Sequence, residues 1–146
     1  MGQRPEEGHI VLADPGGGAF CVIEPYNAFL DGCGTFGELA CYGTRDLGFF
    51  WSEALHWPLA WDRDEETAVQ SPLGGTKVAW GGPPVAAKTV PNRQRFALTA
   101  DGQDDLASEV DRLVGLGAVR LSTGPDGAVE MADLDGNEFW VTAQAV

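Results

Sequence analysis

The sequence has little of what metal and disulfide chemistry requires. Its 146 residues include only two histidines, His9 and His56, so neither an HxxxH pair nor a histidine-rich metal motif can be built. The three cysteines, Cys21, Cys33 and Cys41, show no CxxC spacing. Their odd number argues against a disulfide framework, and their spacing argues against a structural zinc site. Cys21 and Cys41 lie in alternating apolar runs, which is typical of small buried side chains.

Positive charge and long apolar runs are also scarce. Nine basic residues stand against 22 acidic ones, which gives a net charge of −13. Such a surface repels nucleic acid and anionic lipid and attracts a cationic small molecule or a basic partner, or it serves only solubility. No apolar run could span a bilayer, and residues 1–9 resemble neither a signal peptide nor a transit peptide. We therefore expect a cytoplasmic protein that binds neither nucleic acid nor membrane.

What the sequence does contain is an internal repeat. Residues 8–22 align without a gap with residues 127–141. The positions that match are Gly8/Gly127, Ala13/Ala132, Asp14/Asp133, Gly17/Gly136, Phe20/Phe139 and Val22/Val141. Each copy has two extended runs around a turn rich in Asp and Gly, the pattern of a β-hairpin. Asp bonds the turn backbone there, and Gly accepts a positive φ.

A second, longer repeat lies between the two hairpin patterns. The first unit predicts, in order, a strand, a helix that Thr44 caps, and three short strands, at 36–41, 44–55, 58–62, 67–71 and 76–80. The second unit predicts the same order at 93–99, 104–116, 119–122, 128–132 and 138–143. Gly117 ends the second helix, and His56 occupies the equivalent position after the first, where capping is the predicted role. Residues 81–91 form the linker between the units.

Four segments in this order carry a family resemblance: ADLDGNEFWV at 132–141, the degenerate copy ADPGGGAFCV at 13–22, FFWSEALHWP at 49–58 and EVDRLVGLGA at 109–118. Two βαβββ units with such hairpins resemble the vicinal oxygen chelate superfamily of glyoxalases, bleomycin resistance proteins and extradiol dioxygenases. The resemblance implies an α+β fold in which paired βαβββ modules form a cupped half-barrel sheet.

The resemblance also implies a domain organisation. We expect residues 1–25 to form an extra N-terminal hairpin like the end of a preceding module, residues 34–84 the first module, and residues 92–146 the second. A loose apolar hairpin exposes strand edges, which proteins usually cover. The hairpin therefore packs on one of the modules, or completes a sheet in a homodimer, or follows the rest of a module in a longer multi-module chain.

In this superfamily, metal ligands come from the first and last strands of each module. The alignment places Glu38 and Arg95 on the first strands and Ala79 and Trp140 on the last. Of these, only Glu38 is a good oxygen ligand, and the permanently charged Arg95 repels a cation. The resemblance, with this departure, predicts no metal and no cofactor.

Strand alternation and the resemblance together predict the ligand site. The expected ligand-binding residues are Phe36, Glu38, Trp61, Arg93, Arg95 and Trp140. Aromatic walls with a few opposed charges suit an aromatic or cationic organic ligand. The alternative is that Glu38 and Arg95 pair with each other between the modules and that the tryptophans belong to the core.

Two functional classes follow. The first is a small-molecule binding protein that sequesters its ligand without chemistry, as the antibiotic-resistance members do. The second is an enzyme of the lyase, isomerase or dioxygenase-like kind. It would be either metal-free, with Glu38 as general base and Arg95 stabilising an oxyanion, or metal-dependent with ligands that the sequence does not identify. A third possibility is a non-catalytic module of a larger protein.

Overall fold

The computed structural model describes residues 8–81, 88–100 and 103–144. The elements are β1 (Ile10–Ala13), β2 (Ala19–Val22), a 3-10 turn (Ala28–Leu30), β3 (Glu38–Cys41), α1 (Asp46–Leu55), β4 (Leu59–Arg63), β5 (Glu66–Val69), β6 (Lys77–Trp80), β7 (Ala97–Ala100), α2 (Gln103–Gly115), β8 (Val119–Thr123), β9 (Val129–Ala132) and β10 (Glu138–Ala143). The predicted hairpin followed by two βαβββ units is confirmed. The predicted linker at 81–91 and the two ends of the chain lie partly outside the described residues.

Each βαβββ unit forms its own four-stranded sheet with the same topology. The strand orders are β3-β6-β5-β4 and β7-β10-β9-β8, and the β1–β2 hairpin stands apart. In each unit the helix carries the chain to the opposite edge of the sheet, and the three strands that follow it return antiparallel to one another, so the last strand pairs parallel with the first. Glu38 lies opposite Lys77 in the first unit, and Ala97 lies opposite Trp140 in the second.

Two local predictions about where elements begin were wrong. The first strands start at Glu38 and Ala97, later than predicted, so that Phe36, Arg93 and Arg95 lie in the segments that lead into them. Thr44 does not cap α1, which begins at Asp46 without a side-chain cap bond. The Thr44 backbone N–H instead donates to Asp135 in the second unit, at 2.6 Å, so a contact between units replaces the local cap.

His56 and Gly117 take equivalent positions after the two helices, as the repeat predicts. His56 has a left-handed backbone (φ 53°, ψ 35°), and the N–H of Trp57 donates to the Ser52 carbonyl. Gly117 has φ +108°, and the N–H of Ala118 donates to the Leu113 carbonyl. Both bonds span the helix end in the same way, so both helices close in a Schellman-type turn.

The helix-facing sides of the two sheets share one apolar core. Its buried members include Leu47, Phe50, Trp51, Val69 and Trp80 from the first unit and Val110, Leu113, Met131, Phe139 and Val141 from the second. Trp51 joins the two units, because its ring stacks on Trp80 (centroids 6.3 Å apart) and meets the edge of Phe139 at 5.1 Å. Burial of this continuous layer holds the two units together.

Candidate functional site

A cavity of about 420 Å³ lies between the two units. The first unit contributes residues 39–41 of edge strand β3, the adjacent Tyr42, Trp51 and Trp80, and the second contributes residues 92–96, Asp133, Asn137 and Glu138. The lining combines aromatic and aliphatic side chains with guanidinium, amide and carboxylate groups in equal number. This composition is typical of a site for an organic small molecule.

One side of the cavity is formed by the 133–137 turn between β9 and β10, which holds the units together. Asp133 is 4% exposed and accepts hydrogen bonds from the Trp51 indole N–H (3.2 Å) and from the backbone N–H groups of Asp135 (3.1 Å) and Asn137 (2.9 Å). Burial raises the pKa of Asp133, and these donors oppose that shift. The Asn137 amide also donates to the Tyr42 carbonyl at 3.1 Å.

Sequence reasoning identified this turn but missed its docking role. The signal was available in the repeat, because the degenerate copy keeps the aspartate as Asp14 and replaces the two docking residues, Asp135 and Asn137, by Gly16 and Gly18. Only the copy with side chains at those two positions forms hydrogen bonds with the other unit.

The arginines of the second unit have different surroundings. Arg95 forms an ion pair with Glu130 (2.7 Å), and Ser122 donates to the other oxygen of the same carboxylate. The alternative pairing of Arg95 with Glu38 is therefore wrong, because a carboxylate on the same sheet is nearer. Arg93 is exposed at the cavity and makes no ion pair or hydrogen bond with the described residues.

Glu138 is bound by two donors at the cavity wall. Its carboxylate pairs with the Lys88 ammonium at 2.5 Å and accepts the Asn92 backbone N–H at 3.0 Å. Although burial opposes ionisation, these hydrogen bonds lower the pKa of Glu138 to about 2. The segment that enters β7 is thereby attached to the start of β10.

This attachment predicts an acid-sensitive contribution to stability. Because the folded pKa is lowered, ionised Glu138 stabilises the fold above the unfolded value of 4.5 and loses that effect as the pH falls toward about 2. We expect Glu138→Gln to be less stable than the parent at neutral pH and to lose less stability over that acidic range. Urea denaturation at a series of pH values measures this, with the exposed Glu53→Gln as control. Parallel pH profiles for parent and Glu138→Gln would contradict it.

The other predicted site residues are dispersed over the inner faces of the sheets, the faces opposite the helices. Glu38 and Trp61 share the inner face of the first sheet with Lys77, and Trp140 shares that of the second with Glu130. Phe36 is 79% exposed in the segment before β3. Of the six predicted ligand-binding residues, Arg93 and Arg95 line the cavity, and the other four do not.

A segment that no sequence pattern indicated covers part of the first inner face. Phe29, in the 3-10 turn, packs on Ala68 and Ala79 and meets the edge of Trp61 at 5.3 Å. Lys77 is 3% exposed, and its ammonium donates to the backbone carbonyls of Phe29 and Asp31. The chain itself therefore fills the area beside Trp61.

Glu38 lies on the same face and is half-buried. Burial raises its pKa, the Glu66 carboxylate adds to the rise, and the Lys77 ammonium opposes it. A carboxyl group in this state holds a proton more readily than an exposed glutamate does.

The side chains at the superfamily's metal positions do not fit a divalent cation. Glu38, Ala79, Arg95 and Trp140 supply a single carboxylate, and the buried Lys77 ammonium lies directly across the strand pair from it. In the part of the chain that the structure describes, no three His, Cys, Asp or Glu residues cluster closely enough to hold a metal ion.

Comparisons with known proteins agree with this architecture. Residues 38–142 match the family described as glyoxalase-like domain. A glyoxalase-related enzyme from Fulvimarina pelagi is 19% identical and superposes with a TM-score of 0.57 over 75% of this chain and 88% of its own. A fosfomycin resistance protein from Listeria monocytogenes (10% identity, TM-score 0.57) aligns over 77% of this chain and 93% of its own.

A lactoylglutathione lyase from Agrobacterium tumefaciens is 15% identical, with a TM-score of 0.50 over 75% of this chain and 92% of its own. At these identities the likeness shows the fold alone. No curated protein matches the chain. Neither helix in the described part of the chain is long and apolar enough to cross a membrane. The family match spans most of the chain and coincides with the two βαβββ units, so this protein belongs to the glyoxalase-like domain family.

Proposed function

We propose that this protein is a small-molecule binding protein of the glyoxalase and bleomycin-resistance type, which holds an aromatic or cationic organic ligand without a metal. The observation that carries the proposal is the cavity of about 420 Å³ between the units, where Leu39, Cys41 and Phe96 provide apolar wall and Arg93 provides a polar group that no described residue pairs with. Burial of apolar ligand surface drives binding, and a few polar contacts fix its orientation.

Two electrostatic effects act on such a ligand. The net charge of −13 draws cations from a distance, and salt screens that attraction at the ionic strength of about 0.15 M found in cells. Arg93 acts at contact range and disfavours a positive group beside it. The two effects differ in their dependence on salt, so a titration at low and high salt separates them.

The test is calorimetric titration with three naphthalene compounds that carry an ammonium, a hydroxyl or a carboxylate group. We expect stoichiometric binding, recovery of the probe unchanged, and an advantage of the ammonium compound that shrinks as salt is added. Ala40→Phe places a ring in the cavity and should weaken binding by about tenfold or more, since it removes the space in which the ligand buries its surface. Ala60→Phe, at an exposed position of β4, is the matched control.

The Trp140→Ala variant distinguishes a ligand bound in the cavity from one bound on the inner faces of the sheets. Trp140 is not among the cavity-lining residues, so its removal should leave affinity unchanged if the ligand occupies the cavity. A loss of about 1–3 kcal/mol in binding would instead place the ligand against that ring on the inner face. Binding of none of the three probes, or equal binding to Ala40→Phe and the parent, would contradict the proposal.

A metal-free enzyme is the second candidate, and the half-buried Glu38 favours it. A general base works best when its pKa lies near the operating pH, and burial moves the pKa of Glu38 upward. Arg95 would have to exchange Glu130 for a developing oxyanion. If the parent protein turns over a bound compound, and Glu38→Gln abolishes turnover but retains binding, the protein is an enzyme and not a sequestering protein.

The homodimer and the cytoplasmic location stay predictions. Sedimentation of the purified chain tests whether it forms a homodimer.

A further inference from the structure

The β1–β2 hairpin is a backbone copy of the β9–β10 hairpin. With an offset of 119 residues the cross-strand pairs coincide: Ile10–Val22 with Val129–Val141, and Leu12–Phe20 with Met131–Phe139. The turns coincide as well, since Gly17 and Gly136 both have φ +81°. The aspartate that begins each turn accepts the N–H four residues later, at 2.7 Å for Asp14 and 2.9 Å for Asp133.

The two copies differ in what covers them. The four apolar side chains on one face of the first hairpin are about half exposed: Ile10 53%, Leu12 45%, Phe20 48% and Val22 51%. Their equivalents in the second hairpin are buried: Val129 5%, Met131 0%, Phe139 0% and Val141 0%. Two positions are identical, and the other two exchange apolar side chains of similar volume. The same face is therefore buried in one hairpin and half exposed in the other.

In the second module, a single βαβ unit provides the cover. Strand β7 pairs with the outer edge of β10, strand β8 pairs with the outer edge of β9, and helix α2 lies on the apolar face with Val110 and Leu113. In the first hairpin, β1 and β2 pair only with each other among the described strands. An isolated two-stranded hairpin is marginally stable in water, and its two open edges invite further pairing.

We propose that the apolar face and both edges of the β1–β2 hairpin form a docking surface for a βαβ unit of this same module type. The unit's amphipathic helix would cover Ile10, Leu12, Phe20 and Val22, as α2 covers their equivalents, and its strands would extend the hairpin to a four-stranded sheet. Gly16 and Gly18 replace the two residues by which the other turn contacts the neighbouring unit, so this turn has no side chains for such a contact. This surface is independent of the proposed ligand cavity, to which the hairpin contributes no residue.

The test supplies such a unit in the register of the repeat. A second copy of residues 93–126 replaces residues 1–7 directly ahead of Gly8, because residue 127, the equivalent of Gly8, follows residue 126. Hydrogen exchange of the β1 and β2 amides is compared with the unfused chain. We expect protection to rise on the order of 100-fold, since exchange then requires opening of a packed module.

Two variants of the fusion protein are used to determine whether docking requires the apolar face. Phe20→Glu places a charge under the added helix and should abolish the protection. Val11→Glu lies on the opposite face, where the equivalent position in the second hairpin is Glu130, and should retain it. A second format with a Gly–Ser linker before residue 8 guards against strain at the junction.

Several outcomes would overturn the proposal. One is unchanged exchange of the hairpin amides in both formats, and another is equal protection in the two variants. A third is protection in the unfused chain that grows with concentration and accompanies a dimer in sedimentation, because the occupant is then a second copy. Protection of the same amides in an unfused monomer would show that the chain's own modules cover the face.

Discussion

Replacing Asp133 by alanine is expected to lower the free energy of unfolding by about 3 kcal/mol. The carboxylate is 4% exposed and is the acceptor for the Trp51 indole, the Asn137 amide and two backbone N–H groups. Its removal leaves these donors without a partner in a place that water reaches poorly, and each unsatisfied buried donor costs about 1–3 kcal/mol. The loss should exceed that of an ordinary turn substitution, because Trp51 anchors the core that the two units share.

The repeat supplies the control for this change. Asp14 begins the equivalent turn, is exposed, and accepts the Gly18 N–H with the same geometry. We expect Asp14→Ala to cost well under 1 kcal/mol, because water replaces the lost acceptor. Urea denaturation followed by tryptophan fluorescence measures both variants. Equal losses at the two positions would show that the turn itself, and not its docking between units, carries the energy.

Replacing Gly48 by alanine is expected to cost about 2 kcal/mol through overpacking. Gly48 lies inside α1 where the helix crosses β5, and an added Cβ would stand 2.2 Å from Oγ1 and 2.3 Å from Cβ of Thr67. Thr67 cannot rotate away freely, because it is fully buried and its hydroxyl donates to the Arg45 carbonyl at 3.0 Å. The helix must therefore move off the sheet, which loosens the layer that contains Leu47 and Trp51.

Replacing a glycine in the other helix by alanine should have the opposite effect on the free energy of unfolding. Gly115 ends α2 with nothing within 4 Å of an added Cβ. Gly115→Ala should therefore stabilise the protein by up to about 1 kcal/mol, the usual helix preference for alanine. Thermal and urea unfolding of the two variants side by side tests the pair. A stable Gly48→Ala protein would mean that helix and sheet are less closely packed than these distances require.

The order of elements followed from the sequence, because the signals for it are local. Alternating apolar residues specify strands, and the apolar positions of 104–116 recur with helical spacing. The Asp and Gly pattern at 14–18 and 133–137 specified two turns that proved to have the same hydrogen bonds and the same positive φ. Gly117 and His56 ended their helices at equivalent positions for the same reason, since a left-handed residue closes the last turn.

The candidate site was predicted less completely, because its parts meet through contacts distant in sequence. Alternation placed Glu38 on an inner face, but no local signal showed that Phe29 packs on that face beside it or that the Lys77 ammonium binds the carbonyls of Phe29 and Asp31. Arg95 pairs with Glu130, which is 35 residues away in the sequence, and not with Glu38 in the other unit. Partner choice of this kind depends on distances that only the assembled sheets fix.

The sequence by itself determined the backbone plan: a hairpin, two βαβββ units, and turns whose Asp and Gly residues fix the register. Only the tertiary structure decided what each face meets. Phe20 and Phe139 occupy equivalent positions in two hairpins with the same strand register, yet one ring is 48% exposed and the other is fully buried. Register follows from interactions within a hairpin, whereas burial depends on whether a helix from elsewhere in the chain lies on top of it.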